Sequence, residues 1–251
     1  MIVADNLQKS YGRKVVLRGL SLGVAPGELT LLVGSNGAGK STTVKVLAGL
    51  ARADGGRASI CGHDLATDRV CAQRAFSYLP QNPQFHPRLT CLEVLKFYAR
   101  LRGVALARCE RVQEQVGLSD SAHERAGALS GGMRQRLGLA LLLLAEARVL
   151  LLDEPGLSLD PGWRARLQEI LREEAARGRT VLVTTHLIAE WNGIADRCLL
   201  CREGRIEREI DPSDLPHNFD DAEVPPSGNA PRPRGDFAQP LQQLAREPGR
   251  V

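Results

Sequence analysis

What the chain lacks narrows its reading first. None of its 251 residues belongs to a run approaching the roughly 18 consecutive apolar positions that span a bilayer. The longest apolar run, Leu137 to Ala145, is too short and is then broken by Glu146 and Arg148. Met1 to Asn6 carries no basic segment followed by an apolar core, so a secretory signal is not expected. A formal net charge of only +4, spread evenly, gives no reason to expect a nucleic-acid partner. It allows at most a mild preference for an anionic partner or a membrane surface. No internal repeat is found. Together these absences point to the cytoplasm, with any membrane role borrowed from partner subunits.

The composition is that of an ordinary folded domain, 43% hydrophobic and 25% charged. The length suits one large α/β domain with a small subdomain and a tail. Six cysteines, at 61, 71, 91, 109, 198 and 201, are scattered, and a reducing compartment favours free thiols. Cys198 and Cys201 form a C-x-x-C that hints at redox or metal chemistry. They lie in a short apolar run that reads as a strand, where positions three apart face opposite sides. Plain strand packing is the simpler reading.

One segment is chemically specific. Residues 34–42, Gly34-Ser35-Asn36-Gly37-Ala38-Gly39-Lys40-Ser41-Thr42, match G-x-x-x-x-G-K-[ST]. The glycines let backbone N–H groups turn inward around the α/β-phosphates, Lys40 reaches the β/γ-phosphates, and the Ser41 hydroxyl can ligate Mg²⁺. The context fits, because Glu28–Val33 reads as a buried strand before the loop and Lys40 to about Leu50 as a helix after it. Residues 2–8 and 15–24 alternate as antiparallel strands, and 57–62 and 76–81 look like further strands. Thr90 and Glu93 form a capping box opening a helix to about Arg102, and helical pattern resumes at 108–116. These helices suggest an inserted subdomain at about 84–145. Val149–Leu152 is an apolar strand, a helix covers about Trp163–Arg177, and a strand covers Thr180–Thr184. The β-α-β alternation implies a mainly parallel sheet with active groups at strand C-termini. Residues 211–251 hold 8 of the 14 prolines and read as a flexible linker or tail, with one short helix at Gln239–Arg246.

Phosphate chemistry also needs a second metal-facing group, a residue to handle the attacking water and a sensor of the γ-phosphate. Asp153, ending an apolar strand, can meet Mg²⁺ directly or through water. Glu154 is the candidate general base. His186, at the end of the next strand, can contact the γ-phosphate and tie it to Glu154. Gln81, at a proline-rich break, can reach the ion and the water when the site closes. Leu129-Ser130-Gly131-Gly132 opens another helix, a second anion-seeking N-terminus. Each polar strand end taken singly is often only a solvated turn. The ordered set after a valid phosphate loop is not.

The motif order over about residues 2–210 strongly resembles the ATP-binding subunits of ABC transporters. It comprises the loop at 34–42, Tyr78-Leu-Pro-Gln81, Leu129-Ser-Gly-Gly132, Val149 to Pro155, Ser158-Leu-Asp160 and Thr185-His186. The resemblance implies a P-loop α/β cassette with an N-terminal antiparallel subdomain and a helical insertion. It implies ATP and Mg²⁺, the ion held by Ser41, Gln81 and Asp153, with catalysis by Glu154, His186 and Gln81. It places Tyr11 where a ring stacks on adenine, although the spacing alone also fits an ordinary turn residue. It implies two subunits head to tail, with Ser130, Gly131 and Gly132 of one touching the γ-phosphate held by the other and Asp160 communicating across the interface. Integral membrane permease subunits would complete the assembly, placing the chain at the inner face of the cell membrane.

Two departures stand out. Met133 replaces the commoner glutamine, and Gly156 lacks a usual hydroxyl, which predicts a looser turn. The run from Phe85 to Gly103 is similar to ABC-2-type exporter ATPases. With residues 131–140 it is also similar to the NosF group, which serves maturation of the copper sites of nitrous oxide reductase. A soluble ABC ATPase acting in translation, repair or cofactor assembly is the alternative.

Overall fold

A computed structural model describes residues 1–212. The proline-rich tail, with its expected helix at 239–246, lies outside the described residues apart from its first two positions. Strands β1 (Ile2–Tyr11) and β2 (Lys14–Val24) pair antiparallel, and β3 (Leu29–Val33) leads into the glycine-rich loop and α1 (Lys40–Leu47). Next come β4 (Gly55–Ile60), the short β5 (His63–Asp64), α2 (Arg69–Ala75) and β6 (Phe76–Leu79). Three helices follow, α3 (Cys91–Arg102), α4 (Ala107–Gln115) and α5 (Gly131–Leu144). The chain then returns to β7 (Val149–Asp153), α6 (Pro161–Ala176), β8 (Thr180–Thr185), β9 (Arg197–Arg202) and β10 (Arg205–Ile210).

Two sheets result. One is antiparallel in the order β2-β1-β4-β5, and the other runs β10-β9-β3-β8-β7-β6. In the second sheet every pair from β9 to β6 is parallel, and only β10 is antiparallel. All residues of β3, β7 and β8 are buried, as a sheet covered on both faces requires. Leu31, Leu150 and Val183 pack on one face with the α3–α5 insertion and α6, through Leu95, Leu137 and Ile170. Leu32, Leu151 and Leu182 pack on the other with α1 and the antiparallel subdomain, through Leu47 and Leu20. Each such side chain contributes about 1.5–3 kcal/mol of burial energy. Cys198 and Cys201 divide between the two faces, as strand periodicity predicts.

The helical insertion lies between β6 and β7, and Thr90 and Glu93 make the full capping box at its entry. Three differences from the sequence reading have local causes. Helix α1 stops at Leu47 rather than 50, because Gly49 adopts a left-handed φ of 67° and turns the chain. Helix α2 was not expected, since Ala72 is its one buried residue and it shows no apolar period. Strand β10 alternates exposed and half-buried positions, so it has no apolar run to mark it.

Candidate nucleotide site

Strand order assembles the site. The C-terminal ends of β3, β8, β7 and β6 lie side by side, with Val33 beside Thr185, Thr184 beside Asp153 and Leu152 beside Leu79. The glycine-rich loop, His186, the Asp153-Glu154 pair and Gln81 therefore leave the sheet along one edge.

The loop is wrapped around a buried lysine. Lys40 is 5% exposed, and its Nζ donates to the carbonyls of Gly34 (2.7 Å) and Ser35 (3.3 Å). It also lies 3.7 Å from Glu154 Oε1. The loop is clamped from behind by the β9–β10 hairpin. The Cys201 thiol and the Gly204 N–H both donate to the Ala38 carbonyl, at 3.2 and 2.8 Å. Gly34 has to be glycine, because a Cβ there would stand 2.1 Å from the Cys201 carbonyl oxygen. Burial pushes the Cys201 thiol up to about 11, so it stays a neutral donor.

Asp153 is 2% exposed and is held by two hydroxyls, Ser41 Oγ at 2.9 Å and Thr184 Oγ1 at 2.7 Å. Thr184 Oγ1 in turn accepts from the Glu154 N–H at 3.0 Å. Glu154 sits at φ 49°, a left-handed conformation that is strained for a non-glycine residue. That strain is held by the backbone bond to Thr184, and it aims the carboxylate at the edge, where Oε2 meets His186 Nδ1 at 2.9 Å. Burial, then the Asp153 carboxylate, push the nearby Tyr78 hydroxyl up.

A cavity of about 310 Å³ opens beside this cluster, lined by Tyr11, Asn36, Gly37, Gly39, Lys40, Ser41, Thr42, Gln81 and Glu154. The expected residues are thus gathered with few exceptions. Gly34, Ser35 and Ala38 support the loop through their carbonyls, while Asp153 and His186 reach the site through Ser41 and Glu154. Tyr11 is half exposed at the mouth, its ring centroid 5.3 Å from the Lys9 ammonium. Ser41 and Asp153 offer adjacent oxygens suited to a hard divalent cation, and Gln81 lines the same cavity.

Sequence reasoning missed Thr184, Cys201 and the cavity walls Lys14 and Val16. The signal for Thr184 was a hydroxyl pair ending an otherwise apolar buried strand. Cys201 had none, since its task depends on which loop the hairpin meets.

Ser130, Gly131 and Gly132 stand apart and do not line the cavity. Ser130 is exposed and caps α5 by accepting from the Met133 N–H at 3.2 Å. The two glycines lie against Ser158 in the loop after Glu154. That loop turns without a hydroxyl at Gly156, closing through Leu159 N–H to the Gly156 carbonyl at 3.1 Å. Asp160 ends it by capping α6, accepting from the Trp163 N–H at 3.0 Å.

A family model described as ABC transporter matches residues 17–156. The chain belongs to the ABC transporter family. It is an ATP-binding cassette of that family and an ATPase. The cassette is 40% identical over 215 residues to the Nod factor export ATP-binding protein I of Paraburkholderia xenovorans (strain LB400), covering 84% of this chain and 71% of that one. It is 32% identical over 210 residues to the linearmycin resistance ATP-binding protein LnrL of Bacillus subtilis (strain 168), covering 82% and 68%. Among solved structures, an ATP-binding subunit of an ABC transporter matches 98% of this chain and all of its own, at TM-score 0.78 and 28% identity. A dimeric bacterial ABC transporter cassette matches 86% of this chain and 100% of its own, at TM-score 0.78 and 25% identity. No helix among the described residues is long and apolar enough to cross a membrane.

Proposed function

We propose that this cassette drives an ABC-2-type exporter by closing head to tail with a second copy around two ATP molecules. The observation that carries this reading is the separation of two half-sites on one chain. Lys40, Ser41, Asp153, Glu154 and His186 lie together at the sheet edge, while exposed Ser130 and Gly131, with half-buried Gly132, head a different helix. A second subunit brings the helix N-terminus of one chain onto the γ-phosphate held by the other.

Within a site, Lys40 and the loop N–H groups bind the phosphates, and Tyr11 stacks on the adenine. Ser41, Asp153 and Gln81 would hold Mg²⁺, which supplies positive charge to the β- and γ-phosphate oxygens. Glu154 takes the proton of the water that attacks the γ-phosphate, and His186, already 2.9 Å away, keeps that carboxylate in place.

The membrane partner fits an apolar groove between α2, β6, α3 and α5. Leu50, Val70, Tyr98 and Leu101 are exposed around it, and the cavity within is about 580 Å³. Its α3 wall comes from the 85–103 run that resembles exporter ATPases. A cytoplasmic segment of a permease is the occupant, since the groove is an exposed apolar face and no helix among the described residues crosses a membrane. This groove favours a transporter subunit, at the inner face of the membrane, over a free-standing ABC ATPase. The names of the similar proteins support export. Service in copper-site maturation, as in the NosF group, is a narrower reading resting on residues 85–103 and 131–140.

The test is to purify the cassette with its membrane partner and assay ATP turnover and transport in oriented vesicles. ATP-dependent export that is lost with Glu154→Gln, while ATP binding persists, is expected. Unchanged turnover in that variant removes Glu154 as the base, and ATP-driven uptake removes the export assignment.

A further inference from the structure

Away from the nucleotide edge, the turn between β5 and α2 gathers three metal-ligating atoms of different chemistry. His63 Nδ1 lies 2.6 Å from Asp68 Oδ2, and with Cys71 Sγ all three ligand atoms lie within 4.8 Å of one another. The backbone on both sides of the turn is fixed. His63 pairs with Ile60 across β4, the Asp68 N–H donates to the Asp64 carbonyl at 2.8 Å, and the Ala72 N–H donates to the Asp68 carbonyl at 3.1 Å. Asp68 stands at the N-cap of α2, yet its side chain makes no capping bond. Its carboxylate faces the His63 ring and the Cys71 thiol instead.

We propose that His63, Asp68 and Cys71 form a binding site for a borderline-soft divalent cation, with Zn²⁺ the best match. One imidazole nitrogen, one carboxylate oxygen and one thiolate sulfur are the donor set Zn²⁺ takes, and three protein ligands leave a fourth position for water. Mg²⁺ demands near-octahedral oxygen coordination, so the cation that accompanies ATP does not compete here. Thiolate and carboxylate together balance a double positive charge. Each of the three residues is half-buried, so an ion and its water can enter.

Binding requires only small movements. Ligand atoms about 2.0–2.3 Å from a tetrahedral ion stand roughly 3.3–3.7 Å from each other, so the His63–Asp68 contact opens by about 1 Å. The Cys71 proton leaves to solvent as the sulfur–metal bond forms. The proton that His63 Nδ1 shares with Asp68 leaves to solvent as Nδ1 binds the ion, and the ring keeps one proton on Nε2. The ion ties the start of α2 to the antiparallel sheet, and α2 carries Val70, Gln73 and Arg74 to the wall of the apolar groove. It therefore stiffens the helix that borders the partner face.

The experiment titrates the full-length chain with Co²⁺ as a spectroscopic probe and then with Zn²⁺. A thiolate-to-cobalt charge-transfer band at one ion per chain, displaced by Zn²⁺, is expected. Cys71→Ser should abolish the band, and Cys71→Ser and His63→Ala should each weaken Zn²⁺ binding at least tenfold while leaving ATP turnover unchanged. Zn²⁺ should raise the melting temperature of the native chain and not that of Cys71→Ser. No band in the native chain overturns the proposal. So does a band that survives Cys71→Ser, because it places the thiolate at another cysteine.

Discussion

Thr184 gives the sharpest energetic prediction. Its Oγ1 donates to Asp153 at 2.7 Å and accepts from the Glu154 N–H at 3.0 Å, in a fully buried position. Thr184→Val keeps the β-branched shape that suits the strand and removes only the hydroxyl. The Glu154 N–H retains the Thr184 carbonyl at 3.0 Å, so one partner remains on that side. Asp153 keeps Ser41 alone, at 2.9 Å. A hydrogen bond to a charged group contributes about 1.5–3 kcal/mol, which sets the expected loss at about 2 kcal/mol. For a domain of this size that lowers Tm by about 4–8 °C. Turnover should fall more than ATP affinity, because the hydroxyl ties Asp153 to Glu154, the proposed metal ligand and base. Thr184→Ser restores the donor and loses one methyl, so it should lie within about 1 kcal/mol of the native chain. Thermal melts and steady-state ATPase assays on the three proteins decide the matter. If Thr184→Val melts and turns over like the native protein, the bridge has no role.

Other perturbations separate the parts of the account. Tyr11→Ala should weaken ATP binding about 5- to 150-fold, the equivalent of about 1–3 kcal/mol of base stacking, with Tyr11→Phe near native; unchanged binding in calorimetry makes Tyr11 a turn residue only. Half-buried Cys61 and Cys71 should react with a thiol reagent on the native chain, while Cys91, Cys109, Cys198 and Cys201 resist until unfolding. Burial raises the Cys198 thiol from 9.0 to about 12, so its contribution to stability is complete below pH 9 and is lost between about pH 9 and 12. Cys198→Val should flatten that alkaline fall in denaturant titrations. Leu101→Asp, at an exposed position on the groove, should leave ATP binding intact and abolish copurification with the membrane partner.

The sequence exposes most of this site because the proposed catalytic groups Asp153, Glu154 and His186 follow apolar strands, and parallel strands share one C-terminal edge. Asp153, His186 and the phosphate loop are therefore readable from run boundaries alone. Thr184 and Cys201 are not, because their tasks depend on lateral register and on which hairpin backs the loop. Helix α2 escaped for a different reason: it lies on the surface with one buried side chain, so no periodicity records it. The left-handed Glu154 is equally invisible, since that strain is held by a neighbouring strand rather than by local preference.

The central claim is that Ser130 serves the partner's nucleotide and not its own. Sedimentation of the Glu154→Gln chain with ATP and Mg²⁺, with and without Ser130→Arg, tests it most directly. The account predicts a dimer for Glu154→Gln and a monomer once Ser130→Arg is added, with ATP still bound to each chain. Dimers of equal stability in both proteins, or loss of ATP binding on adding Ser130→Arg, would contradict it.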